Sequence, residues 1–237
     1  MLRYGIDVSK HQGNVDWSKV KASGKVEFAI LRAGIGTAKD IRFEEYYQGA
    51  KENHIPVGAY WYSYAVTTAQ AVQEAEAFLN VIKSKQFEYP LYFDLEEPKQ
   101  FALGRNQCSE VAKAFLNTLE KAGYFAGLYA SKSHLEDYVT EAVRTRYAVW
   151  VAHYGVKQTT YSGAYGMWQY SSNGTISGIP DNQVDFDICY TDYPAIIKNA
   201  GLNGFEKTAV PAEPSKEKKQ FSVTVDGKTY SGTLEEN

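Results

Sequence analysis

The chain has 237 residues, enough for one large domain or for one domain with an appendage. Its apolar fraction of 44% and charged fraction of 22% are ordinary for a globular protein, and its net charge of −3 argues against nucleic acid or an anionic membrane as the main partner. No apolar run approaches the ~20 residues of a membrane span, and the first residues lack the pattern of a secretory signal peptide.

Strand-like and helix-like segments alternate along most of the chain. The first five predicted strands, Arg3–Val8, Val26–Ala33, Ile55–Tyr62, Tyr89–Asp94 and Tyr124–Ala130, are each followed by a predicted helix, namely Asp16–Ser23, Arg42–Asn53, Thr67–Lys83, Asn106–Ala122 and Ser133–Val143. Three more strands follow with short loops between them, Tyr147–Tyr154, Tyr165–Ser171 and Gln183–Cys189, and then a final helix, Asp192–Asn199. This order predicts an α/β fold in which a mainly parallel sheet closes into an irregular TIM-like barrel. A doubly wound open sheet is the alternative, although no G-x-G-x-x-G follows the first strand.

A change of composition predicts that the main domain covers residues 1–205. Residues 206–219 mix two prolines with alanines and charged residues, and are predicted to be a linker. The last segment, residues 220–237, has two alternating runs around Asp226-Gly227, a pattern typical of a β-hairpin. Because one isolated hairpin is marginally stable in water, this tail is expected to pack on the main domain, pair with another copy, or be the remnant of a C-terminal module.

The most informative segment is Tyr89–Glu97, an aromatic and apolar strand that ends in acidic residues. Side chains alternate faces along a strand, so Asp94 and Glu96 point the same way, with Cα atoms roughly 6.6–6.8 Å apart. Two carboxyl groups that face one cavity are what the cleavage of a glycosidic bond requires.

Acidic side chains recur at other strand ends, which is where the active site of a parallel barrel lies. Asp7 is near the end of the first strand, and Asp185 and Asp187 stand two residues apart in the last one. Aromatic residues make up 14% of the chain and lie between these acids, which favours an acidic cleft that stacks on sugar rings. Trp61 is expected to pack outward, under a helix. The candidate wall residues are Tyr60, Tyr62, Tyr154 and Trp168. Gln169 is expected to face inward, opposite to Trp168, and to bind substrate.

Short motifs follow one another along the predicted strands over roughly residues 3–190. They are Gly5-Ile6-Asp7-Val8-Ser9 with His11-Gln12-Gly13, Pro56-Val57-Gly58-Ala59-Tyr60, Tyr92-Phe93-Asp94-Leu95-Glu96, Trp150-Val151-Ala152-His153-Tyr154, Trp168-Gln169-Tyr170-Ser171 and Val184-Asp185-Phe186-Asp187. In this order they resemble the glycoside hydrolase family 25 muramidases, the Chalaropsis-type lysozymes common among phage endolysins and bacterial autolysins. The resemblance implies an irregular (β/α)5β3 barrel. It also implies hydrolysis of the β-1,4 bond between N-acetylmuramic acid and N-acetylglucosamine in peptidoglycan.

The same resemblance implies roles for individual residues. Glu96 would be the general acid, which must be protonated at the working pH, so its pKa should be raised by burial and by nearby like charges. Asp94 would assist an oxocarbenium-like transition state, by its charge or by steering the 2-acetamido group of the substrate. Asp7 and Asp185 would bind and orient the sugar. The family usually has Asn where this chain has Asp187, which leaves open whether Asp187 binds substrate or is an exposed or capping carboxylate.

Other chemistries lack the residues that they need. The four histidines have no partner at i+3 or i+4, and no G-x-S-x-G segment is present. The two cysteines, Cys108 and Cys189, stand far apart with no metal-like spacing, and no disulfide framework is expected. No metal and no cofactor are therefore expected. A different barrel glycosidase, such as a chitinase-like enzyme, and a non-catalytic wall-binding module are the alternatives. Retaining, inverting and substrate-assisted mechanisms are all compatible with an acid pair at this spacing.

The resemblance implies bacterial peptidoglycan as the partner, with no nucleic acid and no membrane. Because no signal peptide is predicted, the protein would reach the cell wall through holin-dependent release or lysis, or by another export route. A monomer is expected, with self-association through the tail as the alternative.

Overall fold

The computed structural model describes residues 2–180, 183–207 and 219–234. The chain divides into two units, Met1–Lys207 and Thr208–Asn237. Most of the predicted linker, residues 208–218, and the end of the predicted tail, residues 235–237, lie outside the described residues.

The first unit is a barrel of strands with helices around it. Its strands are β1 (Arg3–Val8), β2 (Phe28–Ile35), the short edge strand β3 (Ala38–Lys39), β4 (Val57–Tyr62), β5 (Leu91–Asp94), β6 (Ala126–Ser131), β7 (Ala148–Ala152), β8 (Met167–Gly174) and β9 (Val184–Cys189). Its helices are α1 (Trp17–Ala22), α2 (Phe43–Glu52), α3 (Thr68–Ile82), α4 (Pro98–Phe101), α5 (Gly104–Lys121), α6 (Lys132–Tyr138), α7 (Glu141–Arg146) and α8 (Tyr193–Ala200), and a 3-10 turn covers Lys10–Gln12.

The sheet closes on itself. Hydrogen-bonded neighbours follow the order β1-β9-β8-β7-β6-β5-β4-β2, and β1 also pairs with β2, which confirms the predicted irregular barrel. Among the barrel strands that the structure describes, β9 alone runs antiparallel to both of its neighbours. The beginning of β9 therefore lies beside the end of β1, and Asp185 stands directly opposite Asp7.

The core has two layers, one inside the barrel and one outside it. Inside, aromatic side chains such as Phe28, Tyr89 and Tyr92 fill the end where the strands begin, and α8 adds Tyr193 to them. Outside, a larger apolar layer packs the helices on the barrel. Successive side chains of a strand point to opposite faces, and those that face inward fill the barrel interior. The apolar side chains fill one end of this interior, and polar side chains line the other end.

Trp61 belongs to the outer layer, as predicted. It is fully buried, its ring packs 5.3 Å from that of Phe78 on α3, and its Nε1 donates to Gly36 O at 2.7 Å. Burial of so large a side chain with its one donor satisfied anchors α3 to the barrel wall.

One predicted helix, Ser133–Val143, is wrong in extent, because the chain forms two helices there. Val139 and Thr140 break the run with extended backbone between α6 and α7. Both are β-branched, which disfavours helix, and the backbone N–H of Thr140 donates to the Ser109 hydroxyl of α5 at 2.8 Å. A tertiary hydrogen bond thus replaces a helical one.

Asn203 ties together the end of the barrel where the strands begin. It is fully buried with a φ of 55°, its side chain donates to Phe87 O (3.1 Å) and Tyr89 O (2.9 Å), and it accepts from Phe125 N–H (2.7 Å). We expect Asn203→Ala to lower the free energy of unfolding by about 2–4 kcal/mol, because buried backbone groups lose their partner and Ala disfavours positive φ. Chemical denaturation checks this. Asn203→Gly, which relieves only the backbone strain, should be the milder change, and equal losses would show that φ has no part in the effect.

The second unit contains a two-stranded hairpin. Strands β10 (Lys219–Val225) and β11 (Lys228–Leu234) pair antiparallel around Asp226 and Gly227, which have φ of 48° and 75°. Positive φ at both central residues is the geometry that Asp-Gly favours in a two-residue hairpin turn. Within the parts of both units that the structure describes, no helix combines the length and apolarity of a membrane span.

Candidate active site

Asp94 and Glu96 are held by chain that continues the β5 strand beyond its assigned end. Leu95 N–H donates to Tyr129 O at 3.0 Å, and Asp94 O accepts from Ser63 N–H at 3.3 Å, so both neighbouring strands hold this segment. Leu95 is buried in the outer apolar layer. The two flanking acids consequently point to the other face, into the barrel, as the alternation of side chains predicted.

A cavity of about 170 Å³ opens at this end of the barrel. Its lining residues are Asp7, Tyr60, Asp94, Glu96, Tyr129, Trp150, Tyr154, Gln169 and Asp185. The structure thus brings four predicted acids, from the ends of β1 and β5 and the start of β9, to one polar cavity. Its volume is below the roughly 300–1,000 Å³ of typical ligand pockets, so it holds only the part of a substrate nearest the acids.

Gln169 organises the hydrogen bonds on one side of the cavity. Its Nε2 donates to Asp7 Oδ2 at 2.6 Å, and its Oε1 accepts from the Tyr129 hydroxyl at 2.7 Å and from the Tyr154 hydroxyl. Gln169 is 3% exposed, and these contacts use its donor and acceptor groups together. The orientation of Asp7 is therefore fixed through Gln169 by two tyrosines of the cavity lining.

The acids of the cavity are hard to ionise. Burial, and then the charge of Asp185, raise the pKa of Glu96, and the nearby Tyr129 hydroxyl opposes this. Burial, and then the charge of Glu96, raise the pKa of Asp94 well above its ordinary value. Burial raises the pKa of Asp185 to about 6, and burial with the charges of Asp185 and Asp187 raises that of Asp7. A carboxyl group that stays protonated near neutral pH is what acid catalysis requires.

Arg32 places a buried positive charge beside this group of acids. It sits on β2 with its Cα paired to that of Tyr60, and its Nε donates to Asp40 Oδ2 at 2.7 Å. Asp40 also accepts from the backbone N–H groups of Lys10 and Arg42, which fixes the ion pair. The guanidinium opposes the rise in the pKa of Asp94, whereas it is not among the groups that act on Glu96. The two neighbouring acids therefore experience different fields.

Three of the predicted substrate-binding residues do not line the cavity. Trp168 lies on the outward face of β8, 4% exposed, and its Nε1 donates to the backbone O of His153. Tyr62 is not among the lining residues, and its hydroxyl donates to Glu97 Oε1 at 3.0 Å. Asp187 is fully buried inside the barrel and accepts from Trp150 Nε1 at 2.8 Å, so it is neither exposed nor a helix cap. Gln169, Tyr60 and Tyr154 do reach the cavity.

The prediction from sequence missed Tyr129, Trp150 and Arg32. Tyr129 is an inward residue near the end of β6, so the same period-two argument that selected Asp94 could have found it. Arg32 is the single charge in the apolar run Phe28–Ala33, which is a signal of a buried functional group. The motif that contains Trp150 does not by itself assign this residue to the site.

Neither cysteine takes part in this site. Cys108 and Cys189 are both buried and free, as the lack of a disulfide framework predicted, and burial raises the pKa of each thiol. In the described ranges no cluster of His, Cys, Asp or Glu has an arrangement that could hold a metal ion.

Comparisons with known proteins agree with this fold. The profile of glycosyl hydrolases family 25 matches residues 6–179. An autolytic lysozyme of Clostridium acetobutylicum is 31% identical over 178 residues, which cover 74% of this chain and 52% of that protein. The chain therefore spans about half the length of this relative.

Solved structures show the same barrel. A bacterial lysozyme from Streptomyces coelicolor superposes with a TM-score of 0.71 at 27% identity, covering 85% of this chain and 97% of that one. The modular autolysin LytC of Streptococcus pneumoniae, solved with a synthetic peptidoglycan ligand, gives 0.72 at 25% identity, covering 80% of this chain and 47% of LytC. With the family profile matching most of the chain, the protein belongs to glycosyl hydrolases family 25.

Proposed function

We propose that this chain is a peptidoglycan muramidase, a lysozyme that hydrolyses the β-1,4 bond between N-acetylmuramic acid and N-acetylglucosamine. The observation that carries the proposal is the convergence of Asp7, Asp94, Glu96 and Asp185 on one cavity with tyrosines in its wall. Family membership and the lysozyme and autolysin relatives support the same substrate class.

Glu96 is the general acid in this proposal. Its side chain is partly exposed at the cavity and its pKa is raised, so it can carry a proton to the bridging oxygen of a bound glycan. Transfer of that proton lets the bond from this oxygen to C1 of N-acetylmuramic acid break. Water then adds its hydroxyl at C1, and its remaining proton restores the acid.

Asp94 assists at the carbon that becomes positively charged. Its Oδ1 is buried and has no hydrogen-bond partner among the residues that the structure describes. Such an acceptor costs free energy until a ligand donates to it. The N–H of the substrate's 2-acetamido group is a donor of the right kind, and Asp94 would then orient that group toward C1. Direct charge stabilisation by Asp94 uses the same position.

Asp7 and Asp185 hold the sugar in this scheme. They face each other across the β1–β9 pair, and Asp7 is oriented by Gln169. Tyr60 and Tyr154 supply the cavity wall, Tyr154 being 45% exposed at its mouth and therefore available to a sugar ring. Tyr62 remains a prediction as a substrate contact, whereas Trp168 is buried on the outward face of β8 and is not placed to form the cavity wall.

The test is cleavage of purified peptidoglycan followed by identification of the new reducing ends. Borohydride reduces each new end, and acid hydrolysis then releases it as the alcohol of the sugar that carried it. The proposal expects the alcohol derived from muramic acid. The alcohol derived from glucosamine would overturn it in favour of a glucosaminidase.

Two further results of the same assay would also contradict the proposal. Cleavage of chitin oligomers without action on peptidoglycan would indicate the chitinase-like alternative. Binding to the wall with no new reducing ends would indicate a non-catalytic module.

We further propose that the protein acts as a monomer at the bacterial cell wall, reached through lysis or export. Light scattering tests for self-association through the tail.

A further inference from the structure

Asp187 is a carboxyl group that the proposed reaction does not use. It is fully buried inside the barrel, and its Oδ1 accepts from Trp150 Nε1 at 2.8 Å. Its Oδ2 finds no hydrogen-bond partner anywhere in the described part of the chain. An ionised carboxylate with one donor and one bare oxygen is costly in such a place.

The titratable groups around Asp187 are carboxyl groups, tyrosines and a thiol. They are Asp7 on β1, Asp185 on its own strand, Tyr92 on β5, Tyr170 on β8 and Cys189 at the end of β9. No Lys, Arg or His is among the groups that act on Asp187 within the described residues. Burial, and then the charge of Asp185, raise the pKa of Asp187 well above its ordinary value, although the contacts with Trp150 and Asp7 oppose this rise.

Asp7 offers the missing hydrogen-bond partner. Its carboxyl lies beside that of Asp187, and two ionised carboxylates cannot hydrogen-bond each other. A proton on Asp187 Oδ2 changes this, because a protonated carboxyl group donates. Asp7 would then accept from Gln169 Nε2 and from Asp187 together.

We propose that Asp187 is a neutral carboxylic acid in the folded protein and that its Oδ2–H donates to Asp7. Asp187 is thus a positioning residue. Its Oδ2–H orients Asp7, while Trp150 Nε1 holds Asp187 Oδ1. The neutral form also removes one negative charge from the group around Asp185. The consequence for catalysis rests on the proposed muramidase function, whereas the protonation state does not.

The first experiment compares unfolding of the wild type and D187N by denaturant across pH 4–8. Unfolded aspartate loses its proton near pH 3.9, whereas folded Asp187 keeps it, so the folded wild type binds more protons and loses stability as pH rises. Asn carries no such proton. We expect the ratio of folding constants, D187N over wild type, to rise about tenfold per pH unit until folded Asp187 ionises. D137N, at an exposed aspartate of α6, is the matched control and should follow the wild type.

Parallel curves for wild type and D187N would overturn the proposal, as would a D187N protein less stable than the wild type at pH 7. The second readout is the infrared band of protonated aspartate with ¹³C-labelled aspartate at pH 7. A band that disappears in D187N and persists in D7N supports the assignment, and the reverse places the proton on Asp7 and overturns it.

The effect on the reaction is a separate measurement. D187L, which can neither donate to Asp7 nor accept from Trp150, is expected to lower kcat/KM on peptidoglycan, and D187N is expected to restore most of it. Equal losses in D187L and D187N would overturn the positioning role. An inactive wild type would instead count against the muramidase proposal, while the stability and infrared results would stand.

Discussion

Replacing Glu96 by Gln is expected to slow peptidoglycan cleavage by about 10²–10⁴-fold, the usual contribution of a general acid. The amide keeps the size of the side chain but has no proton that it can transfer to the glycosidic oxygen. The folded barrel should be little affected, because Gln keeps an oxygen that can accept from the nearby Tyr129 hydroxyl. Release of reducing ends at several substrate concentrations separates the loss in kcat from any change in KM.

Glu97→Gln provides the matched control. Glu97 is the next residue, but it caps α4 and accepts from the Tyr62 hydroxyl outside the cavity lining, so its variant should cleave at nearly the wild-type rate. The wild-type pH profile gives a second readout. Since burial and the charge of Asp185 raise the pKa of Glu96, kcat/KM should fall as pH rises through that pKa, above the range of an ordinary glutamate. Wild-type activity in Glu96→Gln would remove Glu96 from the mechanism.

Arg32→Met is expected to lower the free energy of unfolding by about 3–5 kcal/mol, the usual cost of breaking a buried ion pair on one side. The side chains of Arg32 and Asp40 are only 8% and 1% exposed, so Asp40 would be left as a buried charge with two backbone donors. Denaturant unfolding at neutral pH measures the loss. A change below 1 kcal/mol would show that the pair does not contribute as its burial suggests.

The same variant has a consequence in the active site. Arg32 holds down the pKa of Asp94, so its loss should raise that pKa and shift the acidic limb of the activity profile to higher pH. Arg42→Met is the control, because its ion pair with Glu45 is partly exposed and lies at the start of α2. It should change neither the stability nor the pH profile appreciably.

The acid pair could be predicted from the sequence because it depends only on local geometry. Asp94 and Glu96 are two residues apart on an extended segment, and Leu95 between them is apolar and packs outward. The same alternation correctly separated Gln169 from Trp168. Trp168 was nevertheless predicted to form the cleft wall. The sequence motif does not indicate that its indole N–H donates to the backbone carbonyl of His153.

The meeting of Asp7 with Asp185 needed information that no local pattern contains. It depends on β9 running antiparallel to β1 and on the register that pairs these residues. Likewise, the sequence gives no indication that Asp187 meets Trp150, because that contact crosses the barrel interior from β9 to β7. The break between α6 and α7 was missed for a related reason, namely a hydrogen bond from Thr140 to Ser109 on another helix.

The closure of the barrel by its first and last strands has a consequence during synthesis. Asp7 emerges early from the ribosome, whereas Asp185 follows only with the final strand, so the acid set is incomplete until translation of the barrel is nearly finished. Contacts between such distant segments carry the largest loop-closure entropy and form late. A nascent or prematurely terminated chain would thus hold Asp94 and Glu96 without the opposing carboxylates that complete the cleft.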